Sequence, residues 1–168
     1  MQEILLGFLI LYGENTSYEI KKAMEISTSM FYNSSLGSIN PAFKKLQKNG
    51  LVTVTEVIKN GRLKKIYSIT DKGKINFLEW MEKDIEVQRI KSEVLLKLFF
   101  FSLIEKGKRV KLLDDYLIKI EQVILKLESI SKLEELNSCS DFELDTLDFG
   151  LEYYKFLYQW FKDYKNKI

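Results

Sequence analysis

The chain has 168 residues, of which 46% are hydrophobic, with one proline and eight glycines, a composition that favours one or two mainly helical domains over sandwiches or barrels. It has no histidine and one cysteine, which excludes most zinc sites and all Ser-His and Cys-His catalytic pairs, so we expect no enzyme, no metal and no cofactor. Residues 1–83 carry 12 Lys and Arg against 8 Asp and Glu, whereas residues 84–168 carry 14 against 16, and this asymmetry indicates an N-terminal half that faces nucleic acid.

Three helices are predicted in the first 50 residues. Apolar residues at helical spacing predict a helix over residues 2–12, and Ser17 is expected to cap a second one. After a connecting turn over residues 27–35, a third helix is predicted from about Leu36 to Lys48, with Pro41 in its first turn. Phe43 and Leu46 would face inward on this helix, and its lysines would face outward.

Two alternating strands and a fourth helix follow. An Asn-Gly turn within residues 59–62 is a strong hairpin signal, and it separates strands over about 51–57 and 64–69. Thr70 then caps a helix that extends to about Glu86, and its predicted inward-facing set is Ile75, Leu78 and Met81. This order of elements predicts a mainly α fold with a small β-hairpin, in which residues 1–86 form a winged helix-turn-helix DNA-binding domain.

Positive charge is concentrated in the third helix and the hairpin. The recognition helix of a helix-turn-helix enters the major groove with its N-terminal residues at the base edges, and an asparagine there can bond adenine through two hydrogen bonds. Lysines in mid-helix hold phosphates, and an arginine at a hairpin tip suits a narrow A·T-rich minor groove. The predicted DNA-binding residues are Tyr18, Ser34, Ser35, Ser38, Asn40, Lys44, Lys45, Lys59, Arg62, Lys64 and Lys65.

Each of these assignments has a plainer alternative. The three serines are as open to helix capping as to DNA contact, and Tyr18 is as open to core packing as to a phosphate contact. Arg62 is alternatively an exposed turn residue. Lys64 and Lys65 alternate across a strand, so at most one of them can face the DNA.

Residues 87–168 are predicted to form a helical dimerisation domain. An apolar helix over 92–104 breaks near Gly107, a long helix follows over about 108–136, and a last helix covers 142–166. The long helix carries apolar residues spaced 4, 3, 4 and 3 apart, namely Leu113, Leu117, Ile120, Ile124 and Leu127. This spacing predicts a coiled-coil-like seam between two subunits, and the alternative is a helix packed within one subunit.

Aromatic residues and the single cysteine raise two further possibilities. A set of aromatic side chains could line an effector cavity, although such residues are more often core or interface; they are Trp80, Phe99, Phe100, Tyr153, Phe156 and Trp160. Cys139 lies near Asp141 and Glu143 with no cation to stabilise a thiolate, so we expect it to be inert. One cysteine allows no internal disulfide, and no signal peptide or membrane span is recognisable, so we expect a soluble cytoplasmic protein.

Several short motifs stand in a specific order along most of the chain. They are Ile4-Leu5-Leu6-Gly7, Ser17-Tyr18-Glu19-Ile20, Ser35-Leu36-Gly37-Ser38-Ile39-Asn40-Pro41, Asn49-Gly50-Leu51-Val52, Tyr67-Ser68-Ile69-Thr70-Asp71-Lys72-Gly73 and Leu95-Leu96-Lys97-Leu98-Phe99-Phe100. In these motifs the chain resembles the PadR-like family of bacterial transcriptional regulators, in its longer subfamily with a helical C-terminal domain. The chain departs from the family at Asn40, where an aromatic residue is usual, and at Phe101, where a glycine is usual.

The resemblance implies a dimeric transcription factor, most often a repressor, and in some members one that responds to a small phenolic or hydrophobic effector. Together with the basic helix and hairpin, it predicts a sequence-specific regulator that binds an inverted-repeat operator as a homodimer. The alternative is a winged-helix module for protein–protein association without specific DNA binding.

Overall fold

The computed structural model describes residues 1–29, 31–32, 35–59, 61–87, 89–133, 136–137 and 139–168, without the side chain of Lys59. It divides into two compact units, Met1–Glu86 and Val87–Ile168. None of the helices within these described ranges combines the length and the apolar character that crossing a bilayer requires.

The first unit contains four helices and a small sheet, as expected for a winged helix. Its elements are α1 (Gln2–Tyr12), β1 (Asn15–Thr16), α2 (Ser17–Ser27), α3 (Leu36–Lys48), β2 (Val52–Lys59), β3 (Arg62–Ile69) and α4 (Asp71–Met81). The strands form an antiparallel sheet in the order β1-β3-β2. The mainly helical fold with a β-hairpin is therefore confirmed, and the hairpin is longer than predicted because pairing continues to Lys59↔Arg62.

The core of this unit lies between the first three helices and one face of the sheet. It is built from Leu5, Leu6, Phe8, Leu9, Ile20, Met24, Ile39, Phe43, Leu46, Leu51, Val52 and Tyr67. Val52, Val54 and Tyr67 share this face because alternate residues of a strand point to the same side. Helix α3 is thereby held against the sheet through its apolar stripe, with its polar stripe left in solvent.

The structure corrects two details at the helix starts. Thr16, not Ser17, caps α2: its hydroxyl accepts from the Glu19 backbone N–H at 3.2 Å, and the Glu19 carboxylate accepts from the Thr16 N–H at 2.9 Å. Pro41 lies inside α3 rather than in its first turn, because the helix begins at Leu36. Its missing N–H leaves the Gly37 carbonyl without a helical partner, and Gly37 is exposed, so water can satisfy that group.

Helix α4 turns a different side to the core than predicted. It ends at Met81 rather than near Glu86, and Ile75, Leu78 and Met81 are 58%, 57% and 60% exposed. Phe77 packs against the core instead, where a Cβ on Gly7 would lie 2.9 Å from its ring. Apolar spacing identified a stripe on this helix, but close approach at the two glycines, Gly7 and Gly73, decided which side faces inward.

The second unit is helical throughout. Its elements are α5 (Glu93–Phe99), a short 3-10 turn (Phe101–Leu103), α6 (Lys106–Ile130) and α7 (Asp141–Lys167). Helix α5 ends earlier than predicted, and α6 begins at Lys106, so Gly107 lies in a first helical turn instead of breaking the chain. Helix α6 also ends at Ile130, short of the predicted residue 136.

Helices α6 and α7 pack against each other in antiparallel fashion, with Lys165 paired to Asp114 and Tyr116 edge-on to Phe161 at 5.1 Å between ring centroids. Residues of the predicted intersubunit seam are engaged here: Leu113, Leu117, Ile120 and Leu127 are buried within the single chain, and Ile124 packs on the same cluster. This stripe of α6 therefore fits the alternative prediction, a helix packed within one subunit, because the apolar face of α7 covers it.

We expect Gly73→Ala to destabilise the first unit by about 1–3 kcal/mol or more. An added Cβ would lie 2.2 Å from the Leu51 carbonyl oxygen and 2.8 Å from Ile69 Cγ1, and the backbone oxygen cannot move aside cheaply. Gly37→Ala is the matched control, since it makes the same change in the first turn of α3 and meets only Ser35 Oγ, at 3.6 Å. Urea denaturation measures both, and equal stability of the two variants would contradict the close packing.

Candidate nucleic-acid interface

Helix α3 presents one fully buried face and one polar face. Ile39, Phe43 and Leu46 are 0% exposed, because they form the contact with the rest of the core. The opposite face carries exposed polar side chains over three turns, namely Ser38, Asn40, Lys44, Lys45 and Lys48. The predicted inward and outward residues of this helix are therefore confirmed, and Asn40 and Lys44 lie one turn apart on the solvent side.

The hydroxyls at the start of α3 cap the helix. Ser35 Oγ accepts from the Ser38 backbone N–H at 3.3 Å, and Ser38 Oγ accepts from the Ser35 N–H at 3.2 Å. Both side chains remain exposed, so capping does not remove them from the surface. Ser34 lies outside the described residues.

Basic side chains near α3 fall into two classes. Lys65 is paired with Glu56 at 3.1 Å, and Lys72 donates to the Asn49 carbonyl oxygen at 3.0 Å, so the charge of Lys72 lies at the C-terminal end of α3. Within the described ranges, no ion pair is formed by Lys44, Lys45, Arg62 or Lys64. The side chain of Lys59 lies outside the described part.

Helix α2 adds Lys22, a basic residue that was not among the predicted DNA-binding residues, beside Tyr18, which was. Tyr18 is 54% exposed, which excludes core packing, and Lys22 Nζ lies 5.0 Å from the centroid of its ring. Lys21 is instead paired with Glu25 on the same helix. The signal available in the sequence was the i, i+4 spacing of Tyr18 and Lys22, which places both on one face of α2.

One aromatic contact in the core links the hairpin directly to α3. The rings of Phe43 on α3 and Tyr67 on β3 are stacked, with centroids 3.9 Å apart and planes at 15°. Tyr67 is also paired with Val54 on one side and with Asn15 on the other. The two-residue strand β1, which no sequence pattern indicated, therefore ties the start of α2 to the same strand.

Lys64 and Lys65 point to opposite faces of the hairpin, as predicted. Lys65 shares a face with Tyr67 and is held by Glu56, whereas Lys64 lies on the other face opposite Val57 and is half-buried. Of the two, Lys64 therefore keeps an ammonium group without a carboxylate partner among the described residues.

The pocket between domains or subunits, lined by six aromatic residues, stays a prediction, and the structure shows what these residues contact inside their own units. Within the first unit, the ring centroids of Trp80 and Phe77 are 5.8 Å apart. Within the second, Phe99 lies edge-on to Phe100, with ring centroids 5.1 Å apart. Trp160 stacks on Tyr164 at 5.5 Å. Tyr153 and Phe156 stay exposed along α7.

The second unit contains a cavity of about 380 Å³, which lies between α5, the 3-10 turn and α6. It is lined by Ser92, Glu93, Val94, Lys97, Phe101, Leu112, Leu113, Asp115, Tyr116 and Lys119. Lys97 bonds Glu93 at 2.7 Å, and this bond lowers the pKa of the Glu93 carboxyl, with a smaller effect from Lys119. Burial raises the pKa of the Tyr116 hydroxyl, which is therefore neutral and able to donate.

The described residues offer little for metal or redox chemistry. No cluster of three or more His, Cys, Asp or Glu that could hold a metal ion is found among them. Burial and the Glu143 carboxylate raise the pKa of the Cys139 thiol, so the reactive thiolate is scarce at neutral pH.

Comparison with known proteins yields a consistent picture. Residues 5–79 match the model of the Transcriptional regulator PadR-like family. The chain is 28% identical over 145 residues to the negative transcriptional regulator PadR of Bacillus subtilis (strain 168), a match that covers 84% of this chain and 79% of that protein.

Two solved structures of that regulator are similar over nearly the whole chain. The crystal structure of Bacillus subtilis PadR in complex with operator DNA has a TM-score of 0.87 at 27% identity, covering 99% of this chain and 97% of the other. The crystal structure of the same protein in complex with p-coumaric acid has a TM-score of 0.79 at 25% identity, covering 99% and 96%.

Proposed function

The chain belongs, through its residues 5–79, to the PadR-like family of transcriptional regulators, and on that premise we propose that it is a sequence-specific DNA-binding repressor that binds an inverted-repeat operator as a homodimer. A similar protein is named a negative regulator, and its structure was solved on operator DNA. A DNA partner also implies action in the cytoplasm.

One observation carries the proposal: α3 exposes Asn40, Lys44 and Lys45 on the face opposite its buried stripe. In a helix-turn-helix this face enters the major groove, where asparagine reads a base edge and lysines bind phosphates. Lys44 and Lys45 have no carboxylate partner among the described residues, so they can replace counterions on DNA at little cost. Tyr18, Lys22, Arg62 and Lys64 complete the proposed set of DNA-contacting residues.

The first experiment is binding to a fluorescent fragment of the DNA upstream of the chain's own gene, at two salt concentrations and with unrelated competitor DNA. We expect tight binding that resists competitor, weakens with salt and has two protein chains per site. If unrelated competitor DNA displaces the fragment completely, the binding is non-specific. Absence of binding at low salt would favour the alternative, a protein–protein interaction module.

Two substitutions on α3 should have different effects on binding. Asn40→Ala is expected to cost about 1–3 kcal/mol of operator affinity and to leave the affinity for unrelated competitor DNA unchanged, because only a base contact is lost. Lys44→Gln should weaken binding to operator DNA and to competitor DNA by the same factor, because a phosphate contact is lost. It should also reduce the slope of affinity against salt by about one counterion per subunit. Lys126→Gln, the same charge change in the second unit, is the control, and equal behaviour of all three variants would contradict these roles.

For the dimer, we propose a seam along the exposed side of α7. Phe149, Tyr153, Phe156 and Trp160 are spaced 4, 3 and 4 apart and stay 71%, 44%, 62% and 41% exposed within the single chain. Such a/d spacing is typical of a helix that pairs with another helix. An aromatic stripe of this length is unfavourable in water and would be covered by the same stripe of a second copy.

Phe149→Ser combined with Phe156→Ser should convert the dimer to a monomer and weaken operator binding at least about tenfold, because one half-site alone supplies too few contacts. Sedimentation velocity and the DNA assay measure the two effects. Lys155→Ser combined with Lys162→Ser places serines on the same helix without touching the stripe, and it should stay dimeric. If the variant that lacks Phe149 and Phe156 stays dimeric, the proposed seam on α7 is wrong.

We further propose that a small planar aromatic acid relieves repression by binding the cavity beneath α5. The walls offer Phe101 and Leu113 to a ring, and Lys119 offers positive charge to a carboxylate, whereas Lys97 is already paired with Glu93. A similar regulator was crystallised with a compound of this class.

Titration of the protein–operator complex with p-coumarate should release DNA. Lys119→Gln should raise the concentration for half-release about tenfold, because one charged contact contributes about 1.5–3 kcal/mol. Lys126→Gln again serves as the control. An unchanged half-release concentration in Lys119→Gln would exclude this cavity as the effector site.

A further inference from the structure

Gly37 and Pro41 lie along the middle of the exposed face of α3. They are four residues apart, about one helical turn, and Lys44 and Lys48 continue the same line toward the end of the helix. All four residues are exposed, because this line runs opposite the buried stripe of α3. The first half of the line carries no charge, whereas the second half carries two ammonium groups.

The first half of this line exposes a backbone acceptor. In a regular helix the Gly37 carbonyl oxygen would accept from the N–H of residue 41, but proline has none. Among the described residues, no turn or loop N–H donates to this oxygen either. The nearby Ser38 hydroxyl donates to the Ser35 carbonyl oxygen, at 2.9 Å. The Gly37 oxygen is therefore left to water or to a donor on a bound molecule.

The packing of the unit does not require glycine at position 37. A Cβ built there would meet only Ser35 Oγ, at 3.6 Å, which is an ordinary contact distance. Glycine is also a poor helix former, because it loses more backbone freedom on folding than alanine does. A side chain at this position would hold the carbonyl group away from a surface that α3 contacts. Its absence therefore favours a close approach of the backbone to another molecule.

A free acceptor beside an apolar ring matches a base edge better than a phosphate. Phosphate oxygens are acceptors themselves, so they repel a carbonyl oxygen and bind lysines instead. In the major groove, adenine and cytosine present amino donors, and thymine presents a methyl group. Only an A·T pair combines an amino donor with a methyl group, because a G·C pair has no methyl group.

We propose that Gly37 and Pro41 together read one A·T pair in each half-site of the operator. The Gly37 carbonyl oxygen accepts from the adenine N6 amino group, and the Pro41 ring packs on the thymine methyl group. Proline thus has two roles, since it frees the carbonyl oxygen and supplies the apolar contact. The inference rests on the proposed function and deepens it, because it adds a backbone reader beside Asn40 and names the base pair that is read.

Pro41→Ala should change stability and operator affinity in opposite directions. Alanine restores the N–H of residue 41, so the Gly37 carbonyl rejoins the helix, and thermal denaturation should give a higher melting temperature. Operator affinity should nevertheless fall about tenfold, while affinity for unrelated DNA stays within about twofold of wild type, because no phosphate contact is lost. A variant with wild-type operator affinity would show that the inference is wrong.

Gly37→Ala tests the close approach without removing the free acceptor. The added methyl group meets only Ser35 Oγ, so the variant should fold at least as stably as wild type. It should weaken operator binding about tenfold, because the methyl group separates the carbonyl oxygen from the base edge. Undiminished operator binding by this variant would contradict a backbone contact at position 37.

Base analogues in the operator locate the pair that is read. Each thymine is replaced in turn by deoxyuridine, which lacks only the methyl group. We expect one position per half-site to lose about fourfold in affinity, the effect of one buried methyl group, and Pro41→Ala to be insensitive there. The adenine of that pair is then replaced by purine, which lacks the amino group. In an Asn40→Ala background this should cost about fivefold, because the Gly37 acceptor loses its donor.

Gln47→Ala is the matched control, because Gln47 is exposed on the same helix, has no charge, and its replacement leaves the backbone hydrogen bonds unchanged. It should bind the operator within about twofold of wild type and keep the loss caused by deoxyuridine. Equal deoxyuridine losses in wild type and Pro41→Ala, or no loss at any thymine, would overturn the inference. A wild-type protein that prefers no fragment over unrelated DNA would overturn the proposed function itself, which is a separate outcome.

Discussion

One aromatic stack holds the two proposed DNA-contacting elements in a fixed relation. Phe43 projects from the buried face of α3 and lies flat on Tyr67, whose strand neighbours are Val54 and Asn15. Both rings are almost fully buried, so the contact combines apolar burial with the planar geometry that aromatic pairs prefer. The spacing between α3 and the hairpin is therefore set by packing inside the core rather than at the surface.

Ion pairing divides the basic residues of the first unit into structural and available groups. Lys21, Lys65 and Lys74 each have a carboxylate within the unit, and Lys72 donates to the backbone at the end of α3. Exposed pairs of this kind contribute little to stability, but they lower the local positive potential and limit what each lysine can offer a phosphate. The lysines on the outer face of α3 have no such partner among the described residues. Positive charge is thus concentrated where the helix would meet the phosphates, although the whole chain has a net charge of only +2.

The helical unit satisfies one apolar stripe internally and leaves another uncovered. Helix α6 presents Leu113, Leu117 and Ile120 to α7, which closes that seam with Phe161. Helix α7 is 27 residues long and carries a second aromatic stripe on its outer side. Large apolar side chains on a second side of a helix are unfavourable in water, and this exposure is what supports the proposed dimer seam on α7. Regulation and dimerisation would then share one small unit, because the cavity is bounded by the same α6 that anchors α7.

Local patterns in the sequence determined which segments form helices and strands. The bounds of α1 and α3, the hairpin at its Asn-Gly turn, and the inward-facing Phe43 and Leu46 all follow from spacing, capping and turn chemistry, which act between near neighbours. The tertiary structure alone decided what covers each apolar stripe: Ile75 and Leu78 face solvent because Gly7 and Gly73 admit closer approach on the other side of α4. It also placed the seam of α6 inside the chain and created β1, whose two residues pair with a strand about 50 positions away. Periodicity indicates that a face is apolar but not what covers it. The polar side of α3 could therefore be predicted from the sequence, whereas the contact of α6 with α7 and the cavity could not.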